Sequence, residues 1–320
     1  MLSGSFDISG GGSVDTVALY MQYIVNGLTL GAIYSLIALG YTMVYGILKF
    51  INFAHGDILM VGAFIGLLVY TALTGEAADP GAWTIIAFFI AMLVSMVACA
   101  LLGMLIERVA YKPLRNANRL APLLSAIGVS FILSNGAAWI FGTQSRRFPY
   151  PFANDPIRIG AIAITPHQIV VVLVSVLMMV LLTFFVNKTR MGKAMRAASL
   201  DQATSMLMGI NVNRVISLTF AIGSALAAVG GILASFDFRV YPSMGTMTGL
   251  KAFVAAVIGG IGNIQGAMLG GVLLGILEAV GAPLLHIPNS MRDTVAFAVL
   301  IIILLVKPEG ILGKNEREKV

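Results

Sequence analysis

Apolar residues run through this chain in long blocks, not in the alternating or three-to-four spacing of half-buried elements, and each block approaches the length of a bilayer crossing. A spanning helix needs about 20 mostly apolar residues. Residues 169–186 (IVVVLVSVLMMVLLTFFV) form the clearest block, interrupted only by Ser175 and Thr183. Further blocks lie at 20–46, 56–73, 83–106, 121–142, 214–236 and 290–306, and 247–282 predicts two more helices, shorter and broken by glycine. The predicted fold is all-α: a polytopic integral-membrane bundle of about 8–9 helices, since a lone spanning segment must satisfy its backbone internally. Residues 1–16 read as a disordered polar tail, 17–307 as one transmembrane domain with a segment outside the bilayer at 188–213, and 308–320 as a second tail.

Charge orients the blocks. Arg108, Lys112, Arg115 and Arg119 follow the third, Lys188, Arg190, Lys193 and Arg196 the fifth, and Lys307, Lys314, Arg317 and Lys319 the last. The positive-inside rule puts these three segments in the cytoplasm. The first tail (Asp7, Asp15) and the loop at 74–82 (Glu76, Asp79) contain no cation and are expected outside. Alternation then predicts an odd number of crossings. Residues 143–165 should be external yet carry Arg146, Arg147 and Arg158, so the expectation is either an exceptional loop, which we prefer, or a block at 121–142 that dips in and returns. Ser290 and Asp293 have capping-box spacing at the start of the last helix. The first 48 residues hold no Lys or Arg, so no secretory signal is expected.

Composition agrees. The 320 residues are 58% hydrophobic and 11% charged, against roughly 25% charged in soluble domains, and the mean hydropathy is +0.94. The lipid bilayer is the required partner. The net charge of +6 and pI near 9.5 do not indicate nucleic acid, because the cations gather in membrane-flanking loops. Cys99, the single cysteine, excludes an internal disulfide or thiolate cluster. No GxxxxGK[ST], HExxH or GxSxG occurs and His55, His167 and His286 are scattered, so neither ATP binding nor catalysis by this chain, nor a bound cofactor or metal, is expected.

Glycines crowd into IGGIGNIQGAMLGGVLLG, residues 258–275. Gly262, Gly266 and Gly270 recur every fourth residue, and Gly271 and Gly275 continue one position on, a stripe that permits close helix packing. Asn263 marks a break, and broken backbone at membrane depth must be buried or line a cavity, so this region is a candidate pathway wall. Its GN…G pattern and INFAHGDILMVG near residue 56 are faintly alike but differently spaced, a weak hint of duplication.

In the segment 188–213, Ser199 and Gln202 have the spacing of an N-cap and N3 capping box, Gly209 fits a helix stop, and Leu200, Ala203 and Leu207 share one face. This predicts a short amphipathic helix, either resting on lipid or docking a soluble partner. In NFAHGD, residues 52–57, Asn52 and Asp57 can cap helix starts and Gly56 permits a turn. The plain reading is a polar hairpin. The functional one has His55 and Asp57 lining the inner mouth of a pathway, with Glu278 a comparable candidate, because ionisable groups in a membrane are costly and mark function. Asp237 and Arg239 are close enough in sequence to pair.

NGLTLGAIYSLIALGYTMVYGILKFINFAHGDILMVGAF at 26–64, IERVAYKPLR at 106–115, SAIGVSFIL at 125–133, LMGINVNRVISLTFAIGSALAAVGG at 207–231 and GLKAFVAAVIGGIGNIQGAMLGG at 249–271 together resemble the LivH-type permease subunit of bacterial high-affinity branched-chain amino acid ABC importers. The resemblance covers nearly the whole chain from residue 20. It implies a multi-pass protein of the bacterial inner membrane that works with a second, related permease, two cytoplasmic ATP-binding subunits that use ATP and Mg, and a periplasmic binding protein delivering leucine, isoleucine or valine. It also implies that a cytoplasmic permease helix docks in an ATPase cleft, for which 199–209 is the counterpart. The EAAxxxG pattern of such permeases aligns only in part, at Ala203, Thr204, Ser205 and Gly209. Related permeases serve urea, short amides or other amino acids, the first alternative. An ion-coupled secondary transporter using Asp57, His55 or Glu278 is a second, and a membrane enzyme would need a polar cluster that is not found.

Overall fold

The structure, a computed structural model, describes residues 14–75, 79–115, 117–118, 120–153, 155–288 and 291–313. Eleven α-helices follow in order: α1 (Val14–Leu48), α2 (His55–Thr74), α3 (Ala82–Ile106), α4 (Leu120–Phe141), α5 (Pro166–Lys188), α6 (Arg190–Leu200), α7 (Gln202–Leu207), α8 (Val212–Asp237), α9 (Met244–Gly259), α10 (Ile264–Leu284) and α11 (Arg292–Val306). Seven of them, α1 to α5, α8 and α10, are long and apolar enough to span a bilayer. The helices α9 and α11 are shorter, at 16 and 15 residues. The all-α membrane bundle is therefore what the chain forms.

The structure refines three parts of this layout. In 247–282 only α9 is short, because the break comes at Gly260 and Gly262 (φ 105° and 94°) and leaves α10 its full 21 residues. α4 is continuous over 22 residues, so 121–142 crosses and does not dip and return. The loop after α4 folds into an unforeseen antiparallel hairpin, β1 (Ile157–Ile159) with β2 (Ile162–Ile164), turning at Gly160 (φ 63°). Residues 1–13, most of the expected tail, and Ser290, half of the expected capping box, lie outside the described residues. α11 begins after Met291 with no side-chain cap.

The centre is organised by two breaks. α1 ends at Lys49, held at φ 56°, and residues 50–54 turn back along it, so that the His55 ring lies against Gly40, which also packs on Gly223 of α8. Gly40 is eight residues inside the end of α1 and Gly223 eleven inside the start of α8, so α2 begins about 12–16 Å within the bundle at 1.5 Å per residue. From the opposite face, residues 238–243 lead from α8 to α9, whose first turn meets that of α2. Gly56 and Gly245 touch backbone to backbone and Gly249 closes on Gly56, an approach that leaves no room for a Cβ. The two amino ends thus converge inside the bundle and their helices diverge to opposite faces.

The helix contacts around these breaks are arranged symmetrically. α1, α2 and α3 correspond to α8, α9 and α10: the most extensive helix contacts are α1 with α10 and its counterpart α8 with α3, and α2 on α8 mirrors α9 on α1. This symmetry of contacts sets Gly56 opposite Gly245, not opposite the GN…G break.

Candidate functional site

Expected site residues fall into three places. The first is the basic face, outside the spans. Thr189 caps α6, its hydroxyl accepting from the Gly192 N–H at 3.0 Å, and Arg196 donates to the Val186 carbonyl at 2.7 Å. The cap of the next helix is not Ser199. That residue lies in the last turn of α6 with its hydroxyl on the Arg196 carbonyl at 2.8 Å. Asp201 caps α7 instead, accepting from the Ala203 and Thr204 N–H groups at 2.8 and 3.1 Å, because its extended backbone breaks the helix there. Thr204 holds the Asp201 carboxyl below the usual carboxylate range.

Gln202 fastens α7 to the end of α1, donating to the Ile47 carbonyl at 2.8 Å. Gly209, at φ 81°, ends the knuckle as expected, a left-handed position that favours glycine. Leu200, Leu207 and Met208 stand 81%, 87% and 79% exposed, with Ala203 exposed beside them. Capped, anchored backbone thus holds large apolar side chains outward from this chain.

The second place is the convergence of α2 and α9. Asn52 folds the turn, its side-chain oxygen accepting from the Ala54 N–H at 3.1 Å and from the Tyr111 hydroxyl at 2.6 Å. His55 packs edge-on to Tyr41 with centroids 4.5 Å apart, and Asp57 lies beside Ser130 of α4. All three are buried. His55 Nε2, Asp57 Oδ1 and Asn52 Nδ2 have no hydrogen-bond partner among the described residues.

The third is a charge network between α1, α9, α10 and α11. Glu278 accepts from Lys251 Nζ at 2.9 Å on one oxygen and from the Tyr34 hydroxyl at 2.9 Å on the other. Lys251 also reaches Asp293 at 2.6 Å. Sequence reasoning missed Lys251. The signal was present: a single lysine inside GLKAFVAAVIGG needs a carboxylate, and Glu278 is the acid in the next span. Asp237 faces His167 Nε2 at 3.7 Å, where Arg239 was expected.

The glycine stripe divides its work. Gly266 and Gly270 press on the α9 backbone near Gly259, while Gly271 and Gly275 press on α1 at Ser35 and Gly31. Gly262 is not in the stripe but in the turn before α10. Asn263 caps α10, accepting from the Gln265 and Gly266 N–H groups at 3.0 and 3.2 Å, and borders a large cavity on the basic face. Among the described residues no group of three or more His, Cys, Asp or Glu is placed to hold a metal ion.

The amino-acid sequence that builds these spans matches known proteins over almost its full length. Residues 23–304 fit the family model described as branched-chain amino acid transport system / permease component. The chain belongs to this family. It is 45% identical over 306 residues to the high-affinity branched-chain amino acid transport system permease protein BraD of Pseudomonas aeruginosa, covering 94% of this chain and 98% of that one. Identity to the corresponding permease protein LivH of Escherichia coli K12 is 45% over 307 residues, with the same coverage. The ribose import permease protein RbsC of Escherichia coli K12 is 29% identical over 130 residues, 38% of this chain and 40% of that one. As a family member the chain is a multi-pass membrane component of a transport system, and the spans and breaks above are parts of a permease.

Proposed function

We propose that this chain is the permease subunit of an ATP-binding-cassette importer that carries leucine, isoleucine and valine across the bacterial inner membrane into the cytoplasm. Its partners are a second homologous permease, two cytoplasmic ATP-binding subunits and a periplasmic amino-acid-binding protein. The chain is non-catalytic, and ATP and Mg act on the partner subunits. The observation that carries the reading is full-length 45% identity to two permease proteins named for branched-chain amino acid transport.

The knuckle α6–α7 supports the coupling half of the proposal. It lies on the basic face, which the positive-inside rule puts in the cytoplasm, and presents Leu200 and Leu207 to solvent while Gln202 ties it to α1. Closure of the ATPase pair would push this knuckle and so bias the bundle between outward-open and inward-open states. Helices that touch through backbone at Gly56, Gly245 and Gly249 can shift as rigid bodies against one another.

The test is uptake of labelled leucine into proteoliposomes holding the complete importer, with and without enclosed ATP. Uptake that requires both ATP and the binding protein is expected. Uptake by this chain alone, without ATP, would replace the proposal with a secondary transporter, and ATPase activity stimulated by the binding protein without leucine uptake would change the solute.

A finer prediction concerns Asp201. Asp201→Ala should fray α7 and lower ATP-driven uptake severalfold, whereas Asp201→Asn, which keeps a cap acceptor, should retain it. Because the folded carboxyl is held below its usual range, the charged cap is complete above that range and is lost as pH falls through the lowered value. Uptake unchanged in Asp201→Ala would remove the cap from the coupling argument.

A further inference from the structure

The loop after α4 carries cations on the face where the positive-inside bias disfavours them. Leu120 of α4, Val186 of α5 and Val212 of α8 border the cavity on the basic face. The far ends of these helices, Phe141, Pro166 and Asp237, therefore lie on the opposite, outer face. That face bears Arg146, Arg147, Arg158 and Arg239, all exposed. None of the four forms an ion pair among the described residues: on the same face Asp237 faces His167 and Asp293 takes Lys251.

The fold draws two of these charges together. An isolated antiparallel bridge joins Arg146 to Val240 through reciprocal N–H to carbonyl bonds of 2.9 and 2.8 Å. In that register the next pair along is Arg147 and Arg239, and residues opposite each other across antiparallel chains point to the same side. Like charges so placed repel and destabilise the pairing. Arg146 is occupied otherwise, donating to the Phe141 carbonyl at the end of α4 at 2.8 Å. Arg147 is held over the Tyr150 ring at 5.0 Å, and the Tyr150 hydroxyl is in turn fixed on the Phe236 carbonyl at 3.1 Å. Farther along the same loop, Gln22 of α1 clamps the hairpin, accepting from the Ala163 N–H at 2.9 Å and donating to the Ala163 carbonyl at 3.0 Å. The clamped hairpin presents Arg158 between Ile157 and Ile159, which are 51% and 64% exposed.

We propose that Arg147 and Arg239, with Arg158 of the hairpin, form a docking patch for acidic side chains of the soluble amino-acid-binding protein. Two guanidinium groups facing the same way with no carboxylate between them gain most from an anion supplied from outside the chain. Both are exposed and not enclosed as a small-solute site would be. Exposed arginine together with exposed isoleucine on anchored backbone is the composition of a protein interface. The patch would also steer the partner's approach, since opposite charge on two surfaces acts on association before contact. This proposal rests on the importer reading, which supplies the soluble partner, and adds to it the residues that receive that partner.

The experiment is surface plasmon resonance of the amino-acid-binding protein on the complete membrane assembly, held in nanodiscs of phosphatidylcholine alone or with phosphatidylglycerol. Arg147→Gln and Arg239→Gln should each weaken binding about tenfold at low salt, mainly by slowing association. The gap from the parent should shrink as salt is raised from about 0.05 M to about 0.3 M. Arg147→Lys, which keeps the charge, should retain most of the affinity, and Arg108→Gln, on the basic face, should change nothing. Arg239→Gln should leave thermal stability equal or higher, because it relieves the like-charge pair, so weaker binding cannot be put down to a damaged fold. Parental affinity in both glutamine variants would overturn the patch and leave the importer reading standing, whereas no binding to the parent assembly would overturn both. A loss of affinity confined to discs with phosphatidylglycerol would overturn the patch in favour of lipid phosphate as the ligand of these arginines.

Discussion

Lys251→Met is expected to lower the unfolding free energy of the purified protein by about 3–5 kcal/mol, because it leaves the Glu278 carboxylate buried with a tyrosine hydroxyl as its only side-chain partner. The Glu278 and Lys251 side chains are only 4% and 9% exposed. The pair need not add net stability over an apolar pair of the same size, since taking two charges out of water costs about as much as their attraction returns. Lys251→Met/Glu278→Met should accordingly recover most of the loss. The remaining acid, Asp293, is 41% exposed and can be solvated. Thermal unfolding in detergent of the two single variants and the double variant gives the coupling directly. A single variant as stable as the parent would mean that the network is solvated and not a buried pair.

Leu207→Asp should do the opposite: spare the fold and remove function. With the side chain 87% exposed, the change in stability should stay within about 0.5 kcal/mol. If Leu207 anchors the knuckle in an ATPase cleft, losing it should weaken docking by roughly 30-fold, the equivalent of about 2 kcal/mol at an interface hot spot. The two readouts are copurification of the ATP-binding subunits and leucine uptake, both normalised to folded permease. Copurification at the parental level would move the docking surface away from α7. Leu200→Asp, on the preceding helix and 81% exposed, tests whether the two leucines act as one surface.

Together these variants separate what the chain does for itself from what it does for the assembly. The Lys251 network and the glycine contacts hold α9 and α10 in place within one copy. The knuckle contributes little to that copy's stability, and a leucine exposed at such cost in hydration is better accounted for by a partner than by folding.

Most span positions and the Gly209 stop were legible because each depends on a local property: apolar length, or one residue's tolerance of positive φ. The capping residue was misplaced by two positions. Ser199 and Asp201 are both competent caps, and the choice fell to the backbone break at Asp201, which lets Gln202 reach Ile47 across 155 positions of sequence. The stripe at Gly266, Gly270, Gly271 and Gly275 was readable as packing, but not its division between α9 and α1, since periodicity names a face and not the neighbour against it.

What the sequence by itself determined is the class of protein, which loops share a face, and a resemblance that led to the right family. What only the tertiary structure decided is where the polar residues of the spans go. His55 and Asp57 lie deep in the bundle because residues 50–54 turn back along α1, Lys251 meets Glu278 because α9 and α10 pack through glycine, and the two half-helix amino ends meet through Gly56 and Gly245. The physical reason is that burial in a membrane is set residue by residue by hydropathy, whereas the partner of a buried charge is set by helix contacts between segments far apart in the chain.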